Sequence, residues 1–145
     1  MEKLIGRVVV AGEADGVALV ARAPLSFWGG LDPTTGEVID RHHDLSGQIV
    51  AARVLVLPYS RGSSTASTVL LEAIRAGTAP AAIISSSPDP MLALGAIVAD
   101  ALYHRTVPVV ALAEANYSAI KTGDRLLVRP DGTVDRESPS LRSRP

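Results

Sequence analysis

The chain has 145 residues, with 14 Lys plus Arg against 15 Asp plus Glu and no cysteine. That length suits one domain with a real core and is too short for two full-sized ones. A formal net charge of -1 leaves no electrostatic footprint for nucleic acid or an anionic membrane, and zero Cys excludes a disulfide, a thiol nucleophile and an iron-sulfur cluster ligated by this chain.

Hydrophobic residues make up 47% and aromatic ones 3%, so the core must be built from Val, Leu, Ile and Ala, which favours α/β layers. No apolar leader opens the sequence, and the first apolar run, residues 8–11, is far too short to span a bilayer, so the expected location is the cytoplasm. Residues 4–11 and 17–21 read as strands. The intervening Gly12-Glu13-Ala14-Asp15-Gly16 suits a hairpin-type turn, because Gly and Asp tolerate positive φ. Residues 24–36 form a long loop rich in Gly and Pro that holds the only Phe and the only Trp; its adjacent Gly29 and Gly30 let the backbone approach a neighbour closely. Asp40-Arg41-His42-His43-Asp44 offers imidazole and carboxylate, both metal ligands. Adjacent residues on an extended strand face opposite ways, however, so His42 and His43 read as a solvated loop rather than one site.

From residue 50 the rhythm changes. Residues 54–57 and 81–84 read as buried strands, residues 69–74 as a helix stopped by Gly77, and residues 91–102 as a second, largely apolar helix. A third strand over 107–112, with Pro108 at its start or edge, a short helical turn over 113–120 and a last strand over 125–128 complete the order. Such a β-α-β-α-β succession implies parallel pairing through right-handed crossovers, with helices covering the sheet. From Asp135 to the end the chain is polar and Pro-punctuated, and is expected to be a disordered tail. One domain over residues 1–134 follows.

Chemistry concentrates at residues 60–67, where five of eight positions carry a hydroxyl, between the strand at 54–57 and the following helix. Ligands in open α/β sheets gather at the carboxyl ends of strands, and N–H groups at a helix start attract carboxylate or phosphate. Arg61 adds a fork that matches either anion. The plain alternative is that Ser63 or Ser64 is an N-cap and Gly62 a turn residue. No G-x-x-x-x-G-K-[ST], G-x-G-x-x-G or G-x-S-x-G occurs, so nucleotide and α/β-hydrolase readings lack their signals. A serine here would need donors and a guanidinium to stabilise its alkoxide in a dry site, closed by another surface. Of the remaining polar groups, Glu72 and Arg75 read as a surface pair, His104 as a partner of the helix dipole, and residues 85–90 as a second hydroxyl cluster or an ordinary strand-to-helix connection.

Three blocks, residues 23–36, 60–67 (Ser60-Arg61-Gly62-Ser63-Ser64-Thr65-Ala66-Ser67) and 77–84, together with residues 95–97 and 121–124, resemble the small subunit, or swivel domain, of the aconitase X hydro-lyases. The likeness runs from about residue 4 to 128. Gly62-Ser63-Ser64 also resembles the Gly-Ser-Ser-Arg turn of aconitase swivel domains, whose first serine is the base, so the resemblance gives that role to Ser63. Thr65 stands where the arginine would be, and Arg61 is the available substitute.

The resemblance implies a swivelling β/β/α domain with a mainly parallel sheet and an N-terminal β portion. It also implies docking on a separate large subunit that carries the iron or iron-sulfur centre, this chain binding no cofactor itself. The implied substrates are small carboxylates: cis-3-hydroxy-L-proline in bacterial members and mevalonate 5-phosphate in archaeal ones, with residues 103–108 closer to the bacterial form. Arg61, Gly62, Ser64 and Thr65 would hold the substrate, with Ser26, Gly29 and Gly30 lining the pocket or the seam, and Trp28 would anchor the seam. A reading from another class is a non-catalytic swivelling module, which would need only one cap at the helix start.

Overall fold

In a computed structural model, which describes residues 1–61 and 64–139, strands surround one interior and helices cover one side of it. In chain order the elements are β1 (Glu2–Val10), β2 (Ala14–Val20), β3 (Leu25–Ser26), α1 (Phe27–Gly30), β4 (Val54–Leu57), β5 (Ser60–Arg61), α2 (Ser64–Ala76), β6 (Ala82–Ser85), α3 (Pro90–Tyr103), β7 (Val109–Leu112), α4 (Glu114–Ala119), β8 (Arg125–Val128) and β9 (Thr133–Glu137).

Seven strands close into a barrel in the order β1-β7-β6-β4-β2-β8-β9, with β9 antiparallel to β1 at the closure. The β-α-β-α-β part behaves as expected: β4, β6 and β7 are parallel neighbours joined through α2 and α3, and β2 lies parallel to β4 on the other side. The other contacts, β1 with β7 and β9 and β8 with β2 and β9, are antiparallel, so the sheet is mixed and closed rather than mainly parallel. The expected β1–β2 hairpin does not form either. β1 pairs with β7 and β9 while β2 pairs with β4 and β8, because a barrel with both strands apart satisfies four ladders instead of one.

The strand runs are continuously apolar because both faces are buried. Val54 and Val56 point into the barrel with Ala82, Ile84, Val110 and Leu112. Leu55, Leu57, Ile83 and Val109 point outward and pack with Leu70, Ile74, Leu92 and Ala96 of α2 and α3. The two helices touch closely at Gly95, where a Cβ would come within 2.8 Å of the Ser67 carbonyl oxygen. α3 starts at Asp89, whose carboxylate accepts from the Met91 and Leu92 N–H groups, and ends at His104, which adopts φ 55° and donates its N–H to Asp100 O. The residue 85–90 connection is thus a capped strand-to-helix turn.

The tail expected from Asp135 fails for its first residues. Asp135, Arg136 and Glu137 belong to β9, and Asp135 is only 6% exposed. Polar residues are tolerated there because Arg129 holds Asp135 at 2.7 Å and Arg136 Nε holds the buried Asp124 at 2.7 Å. Among the described residues no helix is long and apolar enough to cross a membrane.

Candidate active site

β4 delivers the chain to the carboxyl end of the parallel strands, and after Pro58 and Tyr59 the two residues of β5 pair in parallel with β3: Leu25 with Ser60, Ser26 with Arg61. Two of the three sequence blocks are therefore neighbours in a small sheet of their own. The third is tied in as well, because the Thr78 hydroxyl donates to Pro33 O at 2.7 Å. Gly62 and Ser63 lie outside the described residues. Ser64 opens α2, and Thr65 follows it on an exposed position of the first turn.

Immediately after β3 the backbone makes a tight reversal. Trp28 (φ -70°, ψ 117°) and Gly29 (φ 75°, ψ -10°) have the torsions of the two central residues of a type II turn, which demands a residue tolerant of positive φ at its second centre. The Ser26 hydroxyl donates to Trp28 O at 3.0 Å, and Leu31 N–H donates to Phe27 O at 3.1 Å. Phe27 is fully buried as the root of this turn, whereas Trp28 at its tip is 65% exposed. Gly29 is exposed, Gly30 is buried, and Ile39, itself exposed, donates its N–H to Gly30 O. With Tyr59, these residues leave apolar surface beside the paired segment.

The segment leading into β3 is held from behind. His43 Nε2 lies 3.0 Å from Ala23 O, and Asp44 accepts from Arg22 N–H at 2.8 Å and Ala23 N–H at 3.2 Å. The solvated-loop reading holds for His42, which is exposed, and is corrected for His43, which is buried: residues 40–48 form turns rather than an extended strand, and His43 turns inward. Glu72 and Arg75 form the expected pair on the surface of α2.

A cleft of about 550 Å³ opens at the same end of the barrel, between β2, Pro58 and α4, with Arg22, Lys121, Glu114, Tyr117 and Thr122 on its walls. Tyr117 is half-buried there; burial pushes its phenol up to about 12, with the Glu114 and Asp44 carboxylates adding to the shift. Nothing in the sequence pattern marks this cleft, because its walls come from separate segments that only barrel closure brings together.

The two-residue ladder thus leads to the start of α2 beside a Trp-tipped turn on a small closed barrel. The family model described as the aconitase X swivel domain matches residues 3–136, and the chain belongs to that family. It is 54% identical over 111 residues to a cis-3-hydroxy-L-proline dehydratase of Pseudomonas aeruginosa, covering 77% of this chain and 19% of that protein. The chain thus spans about a fifth of that relative's length. A phosphomevalonate dehydratase small subunit of Thermococcus onnurineus is 40% identical over 136 residues, covering 93% of this chain and 98% of that one. In structure the chain resembles the holo-form crystal structure of Thermococcus kodakaraensis aconitase X, with a TM-score of 0.85 at 38% identity over 95% of this chain and all of that one.

Proposed function

We propose that this chain is the small subunit of an aconitase-X-type dehydratase, acting on cis-3-hydroxy-L-proline once docked on a large subunit. The observation that carries the reading is the juxtaposition of β3 and β5, which sets the Ser26 turn against the strand entering Gly62 and Ser63. The 54% identity to a cis-3-hydroxy-L-proline dehydratase favours that substrate over mevalonate 5-phosphate, for which the small-subunit relative reaches 40%.

In this reading Ser63 Oγ, as the alkoxide, takes the proton from the carbon next to the substrate carboxylate. The hydroxyl leaves from the adjacent carbon, and the electron pair of the broken C–H bond becomes the new C=C bond. N–H groups at the start of α2, from Ser64 and Thr65, hold the carboxylate together with Arg61. The N-terminal end of a helix of 13 residues carries a positive dipole end, which favours both that carboxylate and the alkoxide.

This chain's own residues do not suit an iron or iron-sulfur centre. It has no Cys, and among the described residues no three His, Asp or Glu are grouped to hold an ion. The centre is therefore assigned to the large subunit, where it would assist loss of the hydroxyl. Trp28, Ile39 and Tyr59 are the surface offered to that subunit: large, apolar, exposed, and next to the site it would close. The chain has no membrane or nucleic-acid role in this scheme, and the cytoplasm remains the proposed location.

Coexpression with the large subunit, followed by assay of both substrates, tests the proposal. Dehydration of cis-3-hydroxy-L-proline is expected. Turnover of mevalonate 5-phosphate alone would reverse the substrate assignment, and a stable metal-loaded complex active on neither would favour the non-catalytic module.

A further inference from the structure

The β3–β5 ladder has two residue pairs, too few to hold its own register in water. Contacts outside the ladder must therefore help to place β3, alongside the burial of Leu25 and Phe27 in the core. Three backbone groups of two adjacent residues just upstream are taken by two adjacent side chains: Arg22 N–H and Ala23 N–H by the Asp44 carboxylate, and Ala23 C=O by His43 Nε2. The other ring nitrogen, Nδ1, accepts the Leu45 N–H at 3.0 Å. That bond requires a lone pair on Nδ1, so the hydrogen sits on Nε2 and is donated to Ala23 O. Asp44 Oδ1 lies 3.5 Å from Nδ1, but the Leu45 N–H already occupies that nitrogen. The residue is only 8% exposed, so both ring nitrogens are committed largely to backbone groups of the chain.

We infer that His43 and Asp44 are positioning residues for the dehydration reaction. They clamp Arg22 and Ala23, the clamp sets β3, and β3 aligns β5, which leads in sequence to Ser63. The type II turn at Trp28–Gly29 fixes the far end of β3, so a two-pair ladder is held from both sides. Arg22, whose backbone N–H is in the clamp, also lines the cleft at the barrel mouth. The inference rests on Ser63 being the base. A base displaced by a fraction of an ångström loses turnover far more than it loses substrate affinity.

In the assembled enzyme His43→Ala is expected to lower kcat roughly tenfold or more with KM changed less than about threefold. His43→Gln, whose amide N–H can replace the Nε2 donor, should restore much of it, and Asp44→Asn, which keeps one accepting oxygen, should fall between. Side-chain nitrogen NMR of the full chain should show His43 protonated on Nε2 and bare on Nδ1. Amide shifts at residues 25–30 and 60–61 should move in His43→Ala, and Asp44→Asn answers the same question should His43→Ala not fold. A folded His43→Ala or Asp44→Asn with unchanged kcat, while Ser63→Ala is dead, would overturn the positioning role alone. Full turnover by Ser63→Ala would instead remove the reading on which it rests. A hydrogen on Nδ1 would refute the clamp geometry.

Discussion

Ser26 and Arg61 are paired across a parallel ladder of two residues a side, although a complete strand and a long loop separate them in the sequence. The Ser26 hydroxyl closes the turn that follows by donating to Trp28 O. The tightness of that turn depends on Gly29, whose φ is 75° and beside which a Cβ would find no atom within 4 Å. Gly29→Ala therefore costs backbone strain alone, about 1 kcal/mol, and Gly29→Asn less, since Asn tolerates positive φ. Thermal melts of the two variants check the order.

Gly95 presents the opposite case, because a Cβ there meets backbone. The Ser67 oxygen would lie at 2.8 Å and Ser67 Cα at 3.3 Å, and neither can move without parting α2 from α3. Gly95→Val is expected to destabilise the chain by roughly 2–3 kcal/mol. Because α2 begins at Ser64, next in sequence to the proposed base Ser63, turnover by the assembled enzyme should fall too. Denaturant titration of the variant together with its kinetics measures both.

Arg136 makes β9 more than an ornament of the barrel. Its Nε holds Asp124 Oδ2 at 2.7 Å, and that carboxylate is 1% exposed and also accepts the Lys121 N–H at 2.8 Å. Arg136→Ala leaves a buried carboxylate without its cation, at a cost of about 3 kcal/mol, and Arg136→Lys should recover part of it. A chain ending at residue 134 should lose at least as much. The denaturation midpoint should fall with the slope unchanged.

These last elements show where sequence pattern stops short. β4, α2, β6, α3 and β7 are legible because uninterrupted apolar runs and helical spacing are local signals, and Gly77 marks the end of α2. β9 is not, since Thr133, Asp135 and Arg136 look like solvated chain until Arg129 and Asp124 are in place to pair them. Barrel closure is equally hidden: β1 meets β9 only through a register that neither strand carries alone. At the site, the blocks around Ser26 and Arg61 are readable by likeness, but their contact is tertiary. His43 escapes a pattern-based reading because the alternation of a strand does not apply to residues that turn.

Tyr117 gives a test in alkali. Its phenol rises from an ordinary 10.0 to about 12, chiefly through burial, so the unfolded chain ionises first. The stability that this buried neutral phenol contributes is fully present below pH 10 and is lost as pH climbs through 12. Tyr117→Phe should flatten the fall over that window. Denaturation midpoints of both proteins at stepped alkaline pH would reveal it, and an equally steep fall in the variant would assign the loss to other groups.

The role of Ser63 is tested most directly by the turnover of cis-3-hydroxy-L-proline by Ser63→Ala assembled with its large subunit. Loss of a general base should slow turnover by roughly a hundredfold or more, with the complex intact and the metal retained. Turnover within a factor of a few of the unsubstituted enzyme would contradict that role.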